Sequence, residues 1–422
     1  MSDFPAFNLH CHTHYSFNAN GYSPTDLAQL AKAHGWYAAG IVDFDVLDGV
    51  DEFLDACDRL AVRGVASLET RVYVPEFATR EINSPGEPGV FYFMGVGFTQ
   101  CAVAPEAAGT LSAMRRRAEA RNRQMIERIN THLVPVAVDY ARDVLPLTPA
   151  GNATERHLLK AYIQAVEGDG QERIGFWAEK LGLTAEQVAA QVDDYARFSN
   201  TVRGRLMKRG GVGYIAPAPG TFPTVEEASH LAVACGALPC ATWLDGFSAG
   251  EQAEEELLEL LIAKGTVAIN IIPDRNWNIS DPEQRRLKVQ KLYEVVALAQ
   301  RLDLPVIVGT EMNAPGQKLV DDFAAAELLP VRRVFRAGVD FLYGHTLMQR
   351  ALGLGYQSDW ARTHLPARRQ RNDFYTHIGR AVPPGAQGRA HLAAIAPDST
   401  PDAVLSHVGE PASVLATAPQ SV

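Results

Sequence analysis

Residues 37–45 read YAAGIVDFD, an apolar run that ends in two carboxylates, Asp43 and Asp45. A run that turns polar only where it leaves the sheet has the pattern of a strand buried on both faces of a parallel sheet. The flanking segments agree. Upstream, SPTDLAQLAKAHG (23–35) has helical spacing, with Pro24 in its first turn and Gly35 at its end. Before it, FNLHCH (7–12) is a short strand, and downstream DGVDEFLDACDRLAVRG (48–64) is an amphipathic helix leading into a third strand, VASLETRVYV (65–74). This βαβαβ rhythm predicts a parallel sheet covered by helices. Functional side chains in such folds gather at the carboxyl ends of strands, and His12, Asp43, Asp45 and Glu69 all fall at or near those ends.

From about Pro105 to Arg209 strand signals fade. LSAMRRRAEARNRQMIERINTHL (111–133), TERHLLKAYIQAVE (154–167) and LTAEQVAAQVDDYARFSNTVRGRL (183–206) each read as one helix, the last opened by a Thr184–Gln187 capping box. The arginines of MRRRAEARNRQ (114–124) alternate with other polar residues and read as a solvated helix face. Alternation resumes after GGVGYIAPAPG (210–220). Helices are expected at 224–236, 251–265 and 283–302, with strands LPCATWL (238–244), VAINII (267–272) and LPVIVGTEM (304–312). The economical division is a barrel begun by residues 1–104, a helical insertion at 105–209, the rest of the barrel with an extension at 210–394, and a loosely ordered tail at 395–422 rich in Ala, Pro and Ser.

Composition narrows the class. The chain is 47% hydrophobic and 21% charged, and no apolar run is long enough to cross a bilayer. Its first residues, MSDFPAF, lack the features of a secretory signal, and five cysteines without C-x-x-C spacing suit reduced thiols, so a cytoplasmic setting is expected. A net charge of −10 argues against a general nucleic-acid partner.

The chemistry centres on NLHCHTHYS (8–16), where His10, His12 and His14 alternate along an extended chain. Two such imidazoles on one side are half of a metal site; without partners they are only a polar strand end. Together with the segments through VASLE, this stretch resembles the PHP (polymerase and histidinol phosphatase) superfamily, whose members open with D-L-H-T-H-S, then S-P-x-E-L, T-D-H-D and G-x-E. NATERHLLKAYI (152–163) resembles the R-P-H-x-A-x-x-L helix of its phosphoesterase branch, and VIVGTEMNAPG (306–316) the closing G-S-D-x-H-G strand end.

That resemblance implies an α/β fold, a distorted (β/α)7 PHP barrel with a helical insertion, and a centre holding divalent Mn, Zn or Fe. His10, His12 and Glu69 match family ligands, and Arg156 and His157 match the pair that faces substrate phosphate. The departures matter as much. Phe44 and Trp243 stand where the family has histidine ligands, Glu311 and Asn313 replace the closing Asp and His, and Asn18 or Asn20 replaces an early aspartate. Phe and Trp cannot bind metal, so one or two ions on His10, His12, Glu69 and Glu311 are expected rather than three, with Phe44 and Trp243 as an apolar wall.

The implied reaction is hydrolysis of a small, anionic phosphoester through a metal-bound hydroxide. Asp43 or Asp45 would orient the water or take its proton, although either can equally cap the next helix. Lys208 and Arg209 beside the glycines of MKRGGVGY offer an anion cradle or an ordinary loop, and Asn270 and Arg275 are expected to line the pocket. His14 is expected as a helper to the ligands at most, and His230 and His345 as structural. The alternatives are one-metal hydrolysis of a C–N or C–O bond, or a ligand-binding or regulatory protein without hydrolytic activity.

Overall fold

A computed structural model describes residues 4–166, 168, 170–218, 220–314 and 316–410. Seven strands follow one another around a single sheet in chain order: β1 (Phe7–Cys11), β2 (Ala38–Phe44), β3 (Arg63–Tyr73), β4 (Val90–Phe98), β5 (Leu238–Trp243), β6 (Ala268–Ile271) and β7 (Val306–Val308). β1, β2 and β3 run parallel, as do β5, β6 and β7, whereas β4 runs antiparallel to both of its neighbours. Just past β7 the sheet nearly closes on β1, with a bridge between Cys11 and Glu311 and a 2.9 Å bond from the His12 amide to the Glu311 carbonyl. The expected α/β barrel is therefore present, with β4 as a strand the sequence pattern did not single out.

Two glycines permit the tightest approaches. A Cβ on Gly40 would lie 2.7 Å from the Leu9 carbonyl oxygen, so β1 and β2 meet there only as backbone on backbone. Just past β7, a Cβ on Gly309 would lie 2.4 Å from both the His10 amide and the Asn8 side-chain oxygen, at the seam that closes the barrel. Gly309→Ala is expected to lower stability by about 1–3 kcal/mol through overpacking, measured as a fall in Tm. An unchanged Tm would show that the seam relaxes freely.

Helices α1 (Pro24–Ala33) and α2 (Val50–Leu60) cover the first strands, and Ser23 and Asp26 form the capping box that starts α1. Between β4 and β5 come α3 (Pro105–Leu133), α4 (Glu155–Ala165), α5 (Gly170–Leu181), α6 (Ala185–Ala189) and α7 (Tyr195–Leu206). They enclose a core of their own that includes Ile129, Tyr162, Trp177, Phe198 and Val202. The Thr184–Gln187 capping box opens α6 as expected, but the single helix read over 183–206 is two. Asp194 accepts the Arg197 amide at 3.1 Å and starts a new helix there.

The helix expected at 251–265 is likewise split, into Ala249–Gln252 and Glu254–Ala263. Glu251, read as the first residue of that helix, is buried and accepts the amides of Leu244, Asp245 and Gly246 at 2.6, 3.0 and 2.8 Å. The tail needs the opposite correction. Pro401–Val408 is a helix capped by Thr400, with Val404 fully buried and the Trp360 indole bonded to the Ser399 carbonyl at 2.8 Å. Residues 411–422 lie outside the described residues. No described helix is long and apolar enough to cross a membrane, and Cys11, Cys57, Cys101, Cys235 and Cys240 are free thiols.

Candidate metal centre and substrate cavity

β1, its C-terminal extension and β3 bring His10, His12 and Glu69 together at the carboxyl ends of the strands. All three are buried, and their potential ligand atoms lie within 4.8 Å of one another. The atoms behind the rings decide what the rings present. His10 Nδ1 lies 3.1 Å from the Asn270 side-chain oxygen, whose amide nitrogen is turned toward the Ile307 carbonyl at 3.3 Å. Nδ1 is thus the donor, and His10 Nε2 carries a lone pair. His12 Nδ1 lies 2.9 Å from the Ser16 hydroxyl, which donates to Asp43 at 2.7 Å and can therefore only accept from the ring.

Both Nε2 atoms are buried without a hydrogen-bond partner among the described residues, and His12 Nε2 stands 3.4 Å from a Glu69 carboxylate oxygen. A lone pair facing a carboxylate in a low-dielectric site calls for a positive charge between them. Burial holds His10 below its ordinary pKa, which keeps it a neutral ligand. Burial also pulls His12 down, but Glu69, Asp43 and Glu311 outweigh it and hold the ring above its ordinary value. The site attracts a cation, and a proton or a metal ion can supply one. Two imidazoles and a carboxylate suit zinc, manganese or iron.

Asp43 is where the sequence placed it, but it does not reach the cavity. Its oxygens are taken by the Thr13 amide (2.8 Å), the Thr13 hydroxyl (2.7 Å) and Ser16, so it anchors the group behind His12. Removing the link by Ser16→Ala is expected to weaken metal affinity about 10- to 100-fold, measured by competition with a chromophoric chelator. An unchanged affinity would mean that packing alone orients the ring.

Above the triad lies a cavity of about 340 Å³, lined on one side by the barrel mouth and on the other by α3, α4, α7 and the segments between them. Asp45 faces it. Burial pushes the Asp45 carboxyl up to about 6 against the pull of Thr70, Arg121 and Arg71, and one of its oxygens has no partner among the described residues. Phe44 and Trp243 form part of the wall, as expected. Glu311 also lines it but is clamped by Arg275 at 2.6 and 2.7 Å, and this pairing outweighs burial and holds the carboxyl down at about 2. Among the described residues Glu311 is not part of the metal-ligating group. Asn270 serves His10 from behind, and Arg275 is engaged by Glu311.

Lys208 lines the cavity but is paired with Glu155 at 3.0 Å, and Arg203 bonds the same carboxylate. Arg209 points elsewhere, to Glu81 (3.6 Å) and the Gly86 carbonyl (3.3 Å). The neighbouring glycines are packing sites: a Cβ on Gly213 would lie 2.5 Å from Ile129 and one on Gly211 2.6 Å from the Leu206 backbone. His157, expected at the substrate, is instead buried in the first turn of α4. Its Nδ1 accepts the Thr154 amide at 3.0 Å in the helix cap, its ring meets Phe17 edge-on, and burial holds it down at about 4. His14 sits in a turn against Tyr15, away from the cavity; His345 is buried and accepts the Tyr356 amide at 3.1 Å.

Two guanidinium groups facing the cavity have no ion pair among the described residues. Arg156, on α4, was expected there. Arg121, on α3, was not: it belongs to the run read as a solvated face. Burial lowers both to about 10, with Arg203 adding to the effect at Arg156 and Arg71 at Arg121. The available signal was the spacing of Ala118, Arg121, Asn122 and Met125, which share one helix face and all line the cavity.

Residues 8–134 match the family model of the PHP domain. No curated protein matches the chain. Among solved structures, the chain is similar to an amidohydrolase from Chromobacterium violaceum with bound sulfate and no metal, at 16% identity and a TM-score of 0.51 over 79% of this chain and 96% of that one. It is also similar to a protein from Bifidobacterium adolescentis whose name proposes a metal-dependent phosphoesterase, at 19% identity and a TM-score of 0.46 over 77% of this chain and 95% of that one. The resemblance read in the N-terminal strands thus holds over the matched residues, and the first of these structures shares the barrel fold.

Proposed function

We propose that this PHP-domain protein is a metal-dependent hydrolase of small phosphate esters. The observation that carries the reading is the pair of buried imidazole Nε2 atoms beside Glu69 at the floor of a cavity that two arginines face without an ion pair among the described residues. A divalent cation bound by His10, His12 and Glu69 would supply Lewis acidity, polarising a phosphoryl oxygen and making nearby water acidic near neutral pH. One ion fits best, because Phe44 and Trp243 offer no donors and Glu311 is held by Arg275.

The chain's own residues divide the remaining work. Arg121 and Arg156 neutralise the substrate anion, and Asp45, facing the cavity with a free oxygen, accepts or returns the proton of the attacking water. The helices of the insertion roof the site and limit it to small substrates, which disfavours a nucleic-acid strand. The sulfate in the Chromobacterium structure is a tetrahedral oxyanion, in keeping with phosphate as the group recognised. That protein's description as an amidohydrolase also favours testing a second reading, cleavage of a C–N bond by the same centre. The experiment is a screen of small phosphomonoesters, phosphodiesters and amides with Mn²⁺- and Zn²⁺-loaded protein. Turnover of phosphoesters that chelator abolishes and Mn²⁺ restores supports the proposal, turnover of amides alone replaces it with the second reading, and failure to take up metal overturns both.

A further inference from the structure

Most polar groups that line the cavity are already engaged. Arg203 and Lys208 hold Glu155, Arg275 holds Glu311, and Arg71 holds Glu87 at 2.8 Å. Asn83 bonds Thr242 and the Tyr92 amide, Asn122 the Ala153 carbonyl, and Asn152 the Phe44 carbonyl. Besides the arginines already assigned and Asp45, Tyr92 is left: it lines the cavity, and its hydroxyl makes no hydrogen bond to a described residue.

The fold holds Tyr92 firmly for a residue without a structural bond at its tip. It lies on β4, directly opposite Arg71 in the ladder, and Arg71 shares a strand face with Glu69 two residues earlier. Its backbone is clamped on both sides, the amide by Asn83 at 2.8 Å and the carbonyl by the Thr242 hydroxyl at 2.5 Å. Its ring meets Phe44 edge-on at 6.3 Å. Burial keeps the phenol above its ordinary pKa, so it is a neutral donor at physiological pH, and the charges that act on it include Arg71, Glu69, Arg203, Glu155 and Arg275. Tyrosine placed so rigidly, with only its oxygen free, has the form of a preorganised donor.

We propose that Tyr92 contacts the substrate, its hydroxyl donating a hydrogen bond to an oxygen of the bound phosphate group and orienting that group over the His10–His12–Glu69 centre. This rests on the phosphoester reading above and adds to it a residue from the one antiparallel strand. Inorganic phosphate binding to Mn²⁺-loaded protein, followed by calorimetry, tests it. Tyr92→Phe is expected to weaken phosphate about tenfold or more, as loss of a hydrogen bond to a charged group does, with metal content and Tm unchanged. Wild-type protein should also show a near-ultraviolet tyrosine difference signal on phosphate addition that Tyr92→Phe lacks. Equal phosphate affinity in the two proteins, or no tyrosine signal in the wild type, overturns the assignment of Tyr92 while leaving the phosphoester reading standing. Failure of the metal-loaded wild type to bind phosphate overturns both.

Discussion

His10→Ala,His12→Ala protein is expected to lose its metal and, with it, hydrolysis by about a thousandfold or more, the scale set by several kcal/mol of lost Lewis-acid stabilisation. Two of the three converging ligands disappear, and Glu69 alone cannot hold a transition metal tightly. The fold should survive. His12 is anchored through Ser16, and the Asp43–Thr13–Ser16 group remains complete without it. The clearest readout is linkage. A ligand that binds only the folded state stabilises it by about 2.7 kcal/mol at a hundred times its Kd, so Mn²⁺ should raise the Tm of the wild type and leave the double variant unmoved. A double variant that still carries about one equivalent of metal, or still turns over phosphoester, would refute the centre.

The grouping of His10, His12 and Glu69 was legible for a simple reason. His10 lies on β1 and His12 just past its end, so alternation sets both on one side, and Glu69 lies on β3 opposite Phe44 at the end of β2. What lay behind them was not. Whether Asp43 faces the cavity or the back of His12 depends on Thr13 and Ser16 in the turn after β1, which the sequence shows only as a polar cluster. His14 fell away because the chain turns at residues 14–16, so the alternation that suggested a third imidazole on the same side stops after His12. His157 could have been judged from local geometry alone: adjacent residues on a helix point about 100° apart, so it and Arg156 do not both face one cavity. Lys208 and Arg209 lie past the end of α7, in a turn whose geometry no helical spacing announces, and they diverge to Glu155 and Glu81. β4 went unread because it lies outside the βα alternation, following β3 with no α-helix between them, yet it supplies Tyr92.

Arg121 shows the deeper limit. Charge on a helix reads as solvent until something is known to pack over it, and here the thing packed over it is the barrel mouth. Replacing Arg121 and Arg156 together by glutamine tests what those charges are for. Each charge-assisted hydrogen bond to a bound anion is worth about 1.5–3 kcal/mol, so the double variant should lose about 100-fold or more in phosphate affinity while keeping its metal. Stability should move the other way or not at all, because neither guanidinium has an ion pair among the described residues and both lie partly desolvated beside other arginines, Arg71 and Arg203. Removing a poorly compensated charge relieves that repulsion, whereas removing one partner of a structural ion pair leaves the other stranded. A variant with lower Tm and unchanged phosphate affinity would identify these arginines as structural. Weaker phosphate binding at equal or higher Tm would identify them as groups kept unpaired for the substrate, a stability–function trade-off confined to the roof of the cavity.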